Sequence, residues 1–505
     1  MTDHVIGIDS GSSTVKVTLH DVDGTLLAAA AEPTPVSHPW PGSVERHPLA
    51  HWAAVVRGVS RLLHDSGTKP EAVVAIGLAG HGDGVHLVDA QGEPVGPALL
   101  SQDTRAGGVI ERWDDDGTLA ALREITGQVP FPGSQAPLLR WLDDHDPDRL
   151  VRARWVLAAK DWLRLRMTGE VATDRTDAGG SFADLDDHAY SAAALEVTGL
   201  GHLAHLLPPA LEPTAVAGHL LPAAATELGL QPGLPVSTGL HDVAATVLGS
   251  VGAAPGQLCV IAGTFGVNVV LVEHPVRAPL LNTRPGPFPG TWTVRRTARG
   301  SGASVAWAAQ ALLGEGGSAR DALDVAFGHE PAHDPPLFVP FVFGGTGDQP
   351  GHGSFLDLHS WHGREEMLRG VVECVAFNHC HDVAIIREVV SAGSVHLAGG
   401  LTRDTRWNQL LADALEEDVT CAPGDDAGAR GAAATAVVVS GHYPDLASAA
   451  EPFRAPAQRI EPRASNSRLR RNLNRYREAL AAAAVARPAP PRTPLVPPIR
   501  QGLEI

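Results

Sequence analysis

The stretch "GLHDVAAT" (239–246) sets one carboxylate, Asp242, among small and apolar residues. A carboxylate there is either a helix N-cap or a group that touches a substrate. Two other stretches are suited to receive phosphate. In "DSGSST" (9–14), Gly11 lets the backbone approach closely, and successive N–H groups with the hydroxyls of Ser12, Ser13 and Thr14 can form an anion nest. "AGTFG" (262–266) offers the same through Gly263 and Thr264. Asp9 ends the strand before the first turn, where it can hold Mg²⁺ through water. Neither G-x-x-x-x-G-K-[ST] nor a strand-linked G-x-G-x-x-G occurs, so the two commonest phosphate-binding loops are not available. "NHCHD" (378–382) groups His379, Cys380 and His381, but it reads as helix, where adjacent side chains diverge, and a metal site is rejected.

Those turns need strands to hold them. "HVIGIDSGSSTVKVTLHDVDGTLLAAAA" reads as strand, turn, strand, Asp-Gly turn, strand, with Val15, Val17 and Leu19 alternating with Lys16 and Thr18. A helix follows through Pro48, then a buried strand, "AVVAIGLAG" (72–80). Strand and helix alternate to about residue 250, which predicts an α/β layered domain. "GQLCVIAGTFGVNVVLVEHP" (256–275) restarts the same grammar, as a duplicated two-lobed architecture would; spacing alone equally allows two ordinary hairpins. Trp307 lies at helical spacing with apolar residues and reads as core. The proline-rich end, 486–505, reads as an extended arm.

Composition narrows the partners. The chain has 505 residues and a formal charge of −18, which disfavours nucleic acid and anionic membranes. Its 4 cysteines lack CxxC pairing or framework spacing, as in a reducing compartment. The N-terminus does not read as a signal peptide and no apolar run is long enough to span a membrane, so a cytoplasmic protein is expected.

"GIDSGSSTVKVTLHDVDG" is similar to the phosphate hairpin of the FGGY carbohydrate kinases, and further segments follow in the family's order. "AGHGDG" (79–84) and "LLSQDTRA" (99–106) resemble its sugar-site segments, and residues 160–181 its linker to the lid of the first lobe. "GLHDVAATVLG" resembles the catalytic segment, "AGTFGVN" the second phosphate turn, and "LAGGLTRDTRWNQLLADAL" the adenosine segment. The likeness runs from about residue 5 to 440.

It implies an α/β, two-lobed actin-like ATPase (ribonuclease H-like) fold: duplicated domains with a central cleft. The boundaries that follow are 1–250 for the first lobe, 251–445 for the second, 446–485 for a C-terminal helical segment, and 486–505 for the tail. It implies ATP and Mg²⁺, with Asp242 as general base, kept charged by its helix N-terminus. Asp9 and Asp242 become the metal candidates. Phosphate and adenosine fall to Gly11, Ser12, Ser13, Thr14, Gly263, Thr264, Gly399, Gly400 and Asn408, the last a candidate for the base or for plain helix surface. Polyols need many directional hydrogen bonds, and the candidates are His81, Gly82, Asp83, Asp103, Arg105, His241 and Asp242. Asp103 with Arg105 also reads as a structural ion pair, and His241 as either a pocket wall or a loop hydrogen bond.

Ser101 stands where the family commonly has Trp, and Phe265 where it commonly has Ser. Both changes sit where a substrate is shaped and bear on which sugar is used. The expectation is phosphorylation of a primary hydroxyl of a small sugar or polyol, a ketopentose such as L-xylulose or a tetritol such as erythritol. An actin- or chaperone-type ATPase without a sugar acceptor and a catalytically inactive sugar-sensing regulator are the alternatives. A homodimer stays open.

Overall fold

In the computed structural model the described residues are 3–298, 300–328, 330–331, 333–342, 353–422, 424, 426–463 and 467–485. The tail expected to be an extended arm lies outside them.

The first lobe opens on an antiparallel meander, β1 (His4–Ser10), β2 (Thr14–Asp21) and β3 (Leu26–Pro33). Gly24, at φ 87°, turns the chain between β2 and β3, as the Asp-Gly pair predicted. Helix α1 (Pro48–Ser66) starts on its proline and stops at Gly67, which takes the left-handed conformation. It returns the chain so that β4 (Val73–Gly80) runs parallel to β1, because parallel neighbours need a crossover. After a helical insertion with its own core around Trp113, Trp141 and Phe182, α2 (Ala159–Thr168) precedes β5 (Val216–His219) and β6 (Pro235–Ser237). The sheet order is β3-β2-β1-β4-β6-β5. Helix α3 (Asp242–Val251) leaves its parallel side.

The second lobe repeats this plan. β7 (Leu258–Ala262), β8 (Gly266–Val272), β9 (Asn282–Pro285) and β10 (Trp292–Ala298) form the antiparallel side. Helices α4 (Gly302–Leu313) and α5 (Arg364–Val389) follow, then β11 (Val395–Ala398) parallel to β7, α6 (Thr405–Leu415), β12 (Val419–Cys421) parallel to β11, and α7 (Ala427–Val439). Apart from one extra antiparallel edge strand, β9, in the second, the two sheets have the same sequence of antiparallel and parallel neighbours, which makes the duplication structural rather than coincidental.

The lobes meet through α3 and α7, which pack side by side with almost no separation. A Cβ on Gly249 would lie 2.0 Å from the carbonyl oxygen of Ala427, and one on Gly431 2.0 Å from that of Ala245. Helix α7, late in the chain, also lies across β1 and β4 of the first sheet. There Gly7 and Gly77 would bring a Cβ within 2.0 and 1.8 Å of the carbonyls of Ala429 and Ala432.

Two expectations are revised. Residues 446–485 are not purely helical: between α8 (Leu446–Phe453) and α9 (Ser467–Val485), β13 (Gln458–Ile460) adds an edge strand to the second sheet. Leu469, Leu473 and Tyr476 of α9 then join the core of the second lobe, at helical spacing. Trp307 is 37% exposed; it stacks on Phe338 at 5.9 Å between ring centroids rather than filling the core.

Candidate active site

Asp242 stands at the C-terminal ends of the parallel strands of the first sheet. Gly239, at φ 90°, turns the chain so that Leu240 and His241 pair with Ala79 and Gly80 at the end of β4. Asp9 pairs with Ala79 from the other side, so it and the start of α3 flank one central strand. Strands lie about 4.8 Å apart, and the Asp9 charge is near enough to act on Asp242. The cap expected of Asp242 comes from its neighbour. His241 Nδ1 accepts the Val243 N–H at 3.1 Å, and Asp242, first residue of the helix, accepts the same N–H through Oδ1 at 2.7 Å.

The expectation that the helix N-terminus keeps Asp242 charged is also revised. Burial, the Asp9 charge and the Asp177 charge push its carboxyl up to about 8, against the pull of the Val243 N–H and of Arg295. Since 32% of the side chain remains open to the gap, water there tempers the shift; its upward direction follows from the neighbouring carboxylates. His241 lies 3.1 Å from Asp242, but burial and the charges of Arg295 and Arg284 hold it well below the usual histidine range. The contact is therefore one between a neutral ring and a carboxyl, not an ion pair.

Both phosphate turns are anchored from behind in the same way. In the first, the Ser12 carbonyl accepts from Arg46 and the Ser13 carbonyl from the Thr34 N–H at 3.0 Å. In the second, the Gly263 carbonyl accepts from the Gly302 N–H at 2.8 Å and the Thr264 carbonyl from the Ala303 N–H at 3.2 Å, both at the start of α4. A peptide's N–H and C=O point in opposite directions. Tying the carbonyls back turns the N–H groups of Ser13, Thr14, Thr264 and Phe265 outward, as an anion nest requires. Ser13 and Thr264 are exposed at the two tips. Gly399, at φ 97°, packs against the second turn so closely that a Cβ would lie 2.6 Å from the Ala262 carbonyl carbon. Gly400 begins the turn that follows. Asn408 is buried beneath that turn, donating to the Thr402 carbonyl at 2.8 Å, so it supports the glycine pair rather than facing the gap.

The sugar-site candidates divide. Gly82 and His241 converge: a Cβ on Gly82 would meet the His241 ring at 2.2 Å and Asp177 at 2.5 Å. Asp83, at φ 59°, bonds across the gap to Arg284 of β9, with both oxygens 3.2 Å from its guanidinium. His81 is buried, and its Nε2 has no hydrogen-bond partner among the described residues. Its Nδ1 is spent on the Ser10 carbonyl at 3.0 Å, under the first turn. Asp103 is fully buried with its acceptor positions filled: Oδ1 by the N–H and Nε of Arg105 at 2.9 Å, Oδ2 by the Val44 N–H and Arg105 guanidinium at 2.8 Å. A carboxylate has about four such positions, so Asp103 holds Arg105 and offers nothing to a ligand. Arg105 in turn reaches Glu45 at 2.7 Å.

Four further residues meet here that the motif reading missed. Lys160, fully buried, binds Asp161, Asp174 and Asp177 at 2.7, 2.9 and 2.8 Å, and so places Asp177 beside Gly82 and His241. Arg284 and Arg295 come from the second lobe. The signal for the last was present in "TVRRTA": consecutive arginines in a strand must face opposite sides. Arg296 enters the second lobe to bond Asp382 at 2.5 Å, which sends Arg295 to the cleft. Among the described residues no group of histidine, cysteine and acidic side chains forms a metal cluster, and His379 instead bonds Asn268 and Ser301 at 2.9 and 3.1 Å. No helix in them is long and apolar enough to cross a membrane.

Known proteins share this arrangement. The models of the N-terminal and C-terminal domains of the FGGY family of carbohydrate kinases match residues 4–249 and 258–440. An L-xylulose/3-keto-L-gulonate kinase of Escherichia coli is 28% identical over 95% of this chain and 97% of its own length. A xylulose kinase of the same organism is 31% identical over 86% of this chain and 90% of its own. A crystal structure described as a "xyloylose kinase" of Brucella ovis superposes with TM-score 0.78 at 27% identity, covering 95% of this chain and 98% of that one. The actin-like fold, the duplicated sheets and the cleft between them are thus those of a known enzyme class, and the chain belongs to the FGGY family of carbohydrate kinases.

Proposed function

We propose that this kinase transfers the γ-phosphoryl group of ATP to a primary hydroxyl of a small ketose or polyol, with Asp242 as the general base. The observation that carries the reading is the position of Asp242. It lies at the N-terminus of α3, across one strand from Asp9 and beside Gly82, His241 and Asp177. The substrate oxygen attacks the terminal phosphorus, the bond to the ADP oxygen breaks, and Asp242 takes the hydroxyl proton late in a loose transition state. A weak base suffices for that, since little negative charge develops on the attacking oxygen before phosphorus begins to bond.

The outward N–H groups of Ser13, Thr14, Thr264 and Phe265 hold the phosphates, while the Gly11 N–H is taken by the Thr14 carbonyl at 3.0 Å, and Gly399 with Gly400 gives the nucleoside a flat backbone surface. Asp9 and Asp242 would hold Mg²⁺: carboxylate oxygens are the donors such a hard ion takes, and the Asp9 charge already acts on Asp242. When bound, the ion supplies charge neutralisation at the phosphates. The E. coli relatives named for L-xylulose, 3-keto-L-gulonate and xylulose point to a ketopentose or similar chain; a tetritol such as erythritol is the shorter alternative.

Asp242→Asn keeps the size and the Val243 hydrogen bond but cannot accept the proton. Its kcat is expected to fall about 10²- to 10⁴-fold, with the melting temperature near the parent's. A folded Asn variant that turns over ketose at the parental rate would refute the role.

A further inference from the structure

Arg295 is a cleft cation whose charge no described residue contacts. It is 5% exposed, yet it makes no hydrogen bond or ion pair with any described residue. Its orientation follows from strand register. Arg295 lies opposite Asn282, and Arg284 opposite Thr293, so these four side chains share one face of the β9–β10 ribbon. On that face Asn282 accepts the Val129 N–H, and Arg284 bonds Gln128 at 2.9 Å and Asp83, all in the first lobe. Asp83, Asp242 and Asp177 are near enough to feel the Arg295 charge, but none contacts it, and Asp83 and Asp177 are already engaged by Arg284 and Lys160.

A guanidinium withdrawn from water without a partner is strongly unfavourable. Burial and the Arg284 charge indeed push Arg295 down to about 9. A chain that keeps such a cation in its substrate gap gains from it when an anion arrives with the ligand. Two anions enter this gap: the terminal phosphate of the nucleotide and any acidic group of the acceptor. The register favours the second. Ala298 pairs with Gly266, directly after the second phosphate turn, and Arg295 lies three residues further along, about 10 Å at 3.3 Å per residue. That distance carries it away from the turn and toward Arg284, Asp83 and Asp242, where the acceptor binds in the kinase reading.

We infer that Arg295 is a specificity residue of the acceptor site and that the preferred acceptor is a sugar acid, a polyhydroxy acid or keto acid whose carboxylate pairs with its guanidinium. This rests on the kinase reading and sharpens its substrate class. The carboxylate takes no part in the transfer itself; it fixes the carbon chain so that the far primary hydroxyl faces Asp242.

The test compares matched acceptors, a neutral ketose or polyol and the acid bearing a carboxylate in place of one terminal CH₂OH. Steady-state kinetics are run on the full chain with Mg·ATP, and acceptor binding is measured by calorimetry without nucleotide. The wild type is expected to prefer the acid by about 10- to 100-fold in kcat/KM, the range of one charge-assisted hydrogen bond. Arg295→Gln is expected to abolish that preference through KM, with kcat/KM for the acid falling about 10- to 100-fold further than for the neutral acceptor; Arg295→Lys, which keeps the charge, retains part of it. Equal use of acid and neutral acceptors by the wild type overturns the inference even if no variant folds. So does a loss of kcat in Arg295→Gln that is alike for both acceptors, since that places the residue on the phosphoryl group. If no acceptor is phosphorylated, the kinase reading fails separately; acid binding without nucleotide, lost in Arg295→Gln, then still supports the anion site, and its absence removes it.

Discussion

The guanidinium of Arg105 lies 4.8 and 5.0 Å from the ring centroids of Trp40 and Trp141, while Asp103 and Glu45 meet its charge. Every polar contact of Asp103 faces protein, which decides between the two roles its sequence context allowed. Asp103→Ala would leave the buried Arg105 charge to Glu45 alone, a loss expected to destabilise the chain by up to about 3 kcal/mol. Chemical denaturation reads that loss directly. If Asp103 only supports the fold, KM for the acceptor measured well below the new melting point stays within about threefold of the parent's; a KM rise of tenfold or more would return Asp103 to the substrate. The same logic separates Asp103 from His81, whose Nδ1 meets the Ser10 carbonyl while its Nε2 has no partner among the described residues, and from His241 beside Gly82. Residue type alone does not distinguish them, because a buried carboxylate or imidazole looks the same in sequence whether its partner is protein or ligand.

At the scale of elements, the packing of α3 against α7 ties the candidate base to the region joining the lobes. Gly431→Ala tests how tightly. In an unhindered helix interior, replacing glycine by alanine stabilises by about 1 kcal/mol. Here the new methyl would sit 2.0 Å from the Ala245 carbonyl, a backbone atom that no rotamer change can move aside. Overpacking of this kind typically destabilises by about 1–3 kcal/mol, so the clash wins. The relaxation must shift α3, and a displacement near 1 Å at Asp242 lowers turnover by about 10²-fold. Gly431→Ala is thus expected to lower both the melting temperature and kcat. Gly108→Ala, where the nearest atom is the tip of Arg112 at 4.0 Å, is the control and should be neutral or stabilising. Parental kcat in a destabilised Gly431→Ala would mean that the contact between α3 and α7 does not position the base. The strands, turns and helices that frame the site were legible because hydrophobic alternation and Gly or Pro punctuation are local signals. The glycine contacts between helices were not, since their meaning depends on which backbone lies opposite.

At the scale of the whole molecule, the interior holds an unusual charge-state requirement. His20, His51, His81, His86, His241 and His379 are buried and held neutral, chiefly by that burial, at values from about 4 for His20 and about 3 for His81 to well below the usual range for His51. The unfolded chain protonates them near pH 6.5 and the folded one does not, so unfolding takes up protons below that pH and stability falls as pH falls. Above pH 6.5 the contribution is constant. Each such histidine contributes a slope of about 1.4 kcal/mol per pH unit, and the sum should lower the denaturation midpoint markedly between pH 6.5 and 5, before most carboxylates protonate. A midpoint flat across that window would show that these rings are protonated or solvated in the folded state.

The sequence by itself determined the strand and helix order, the two glycine turns proposed to hold phosphate and the choice of Asp242 as the residue to watch, while its spacing left the duplication even with two ordinary hairpins. All of these depend on neighbours in the chain. The tertiary structure alone decided that His241 rather than Asp242 caps α3, and that Asp103 is internally satisfied. It also brought Lys160, Asp177, Arg284 and Arg295 to one gap, Asp83 and Arg284 being 201 positions apart. Charges separated that far act on each other only when the fold sets them a few ångströms apart, and that distance is written in no local pattern.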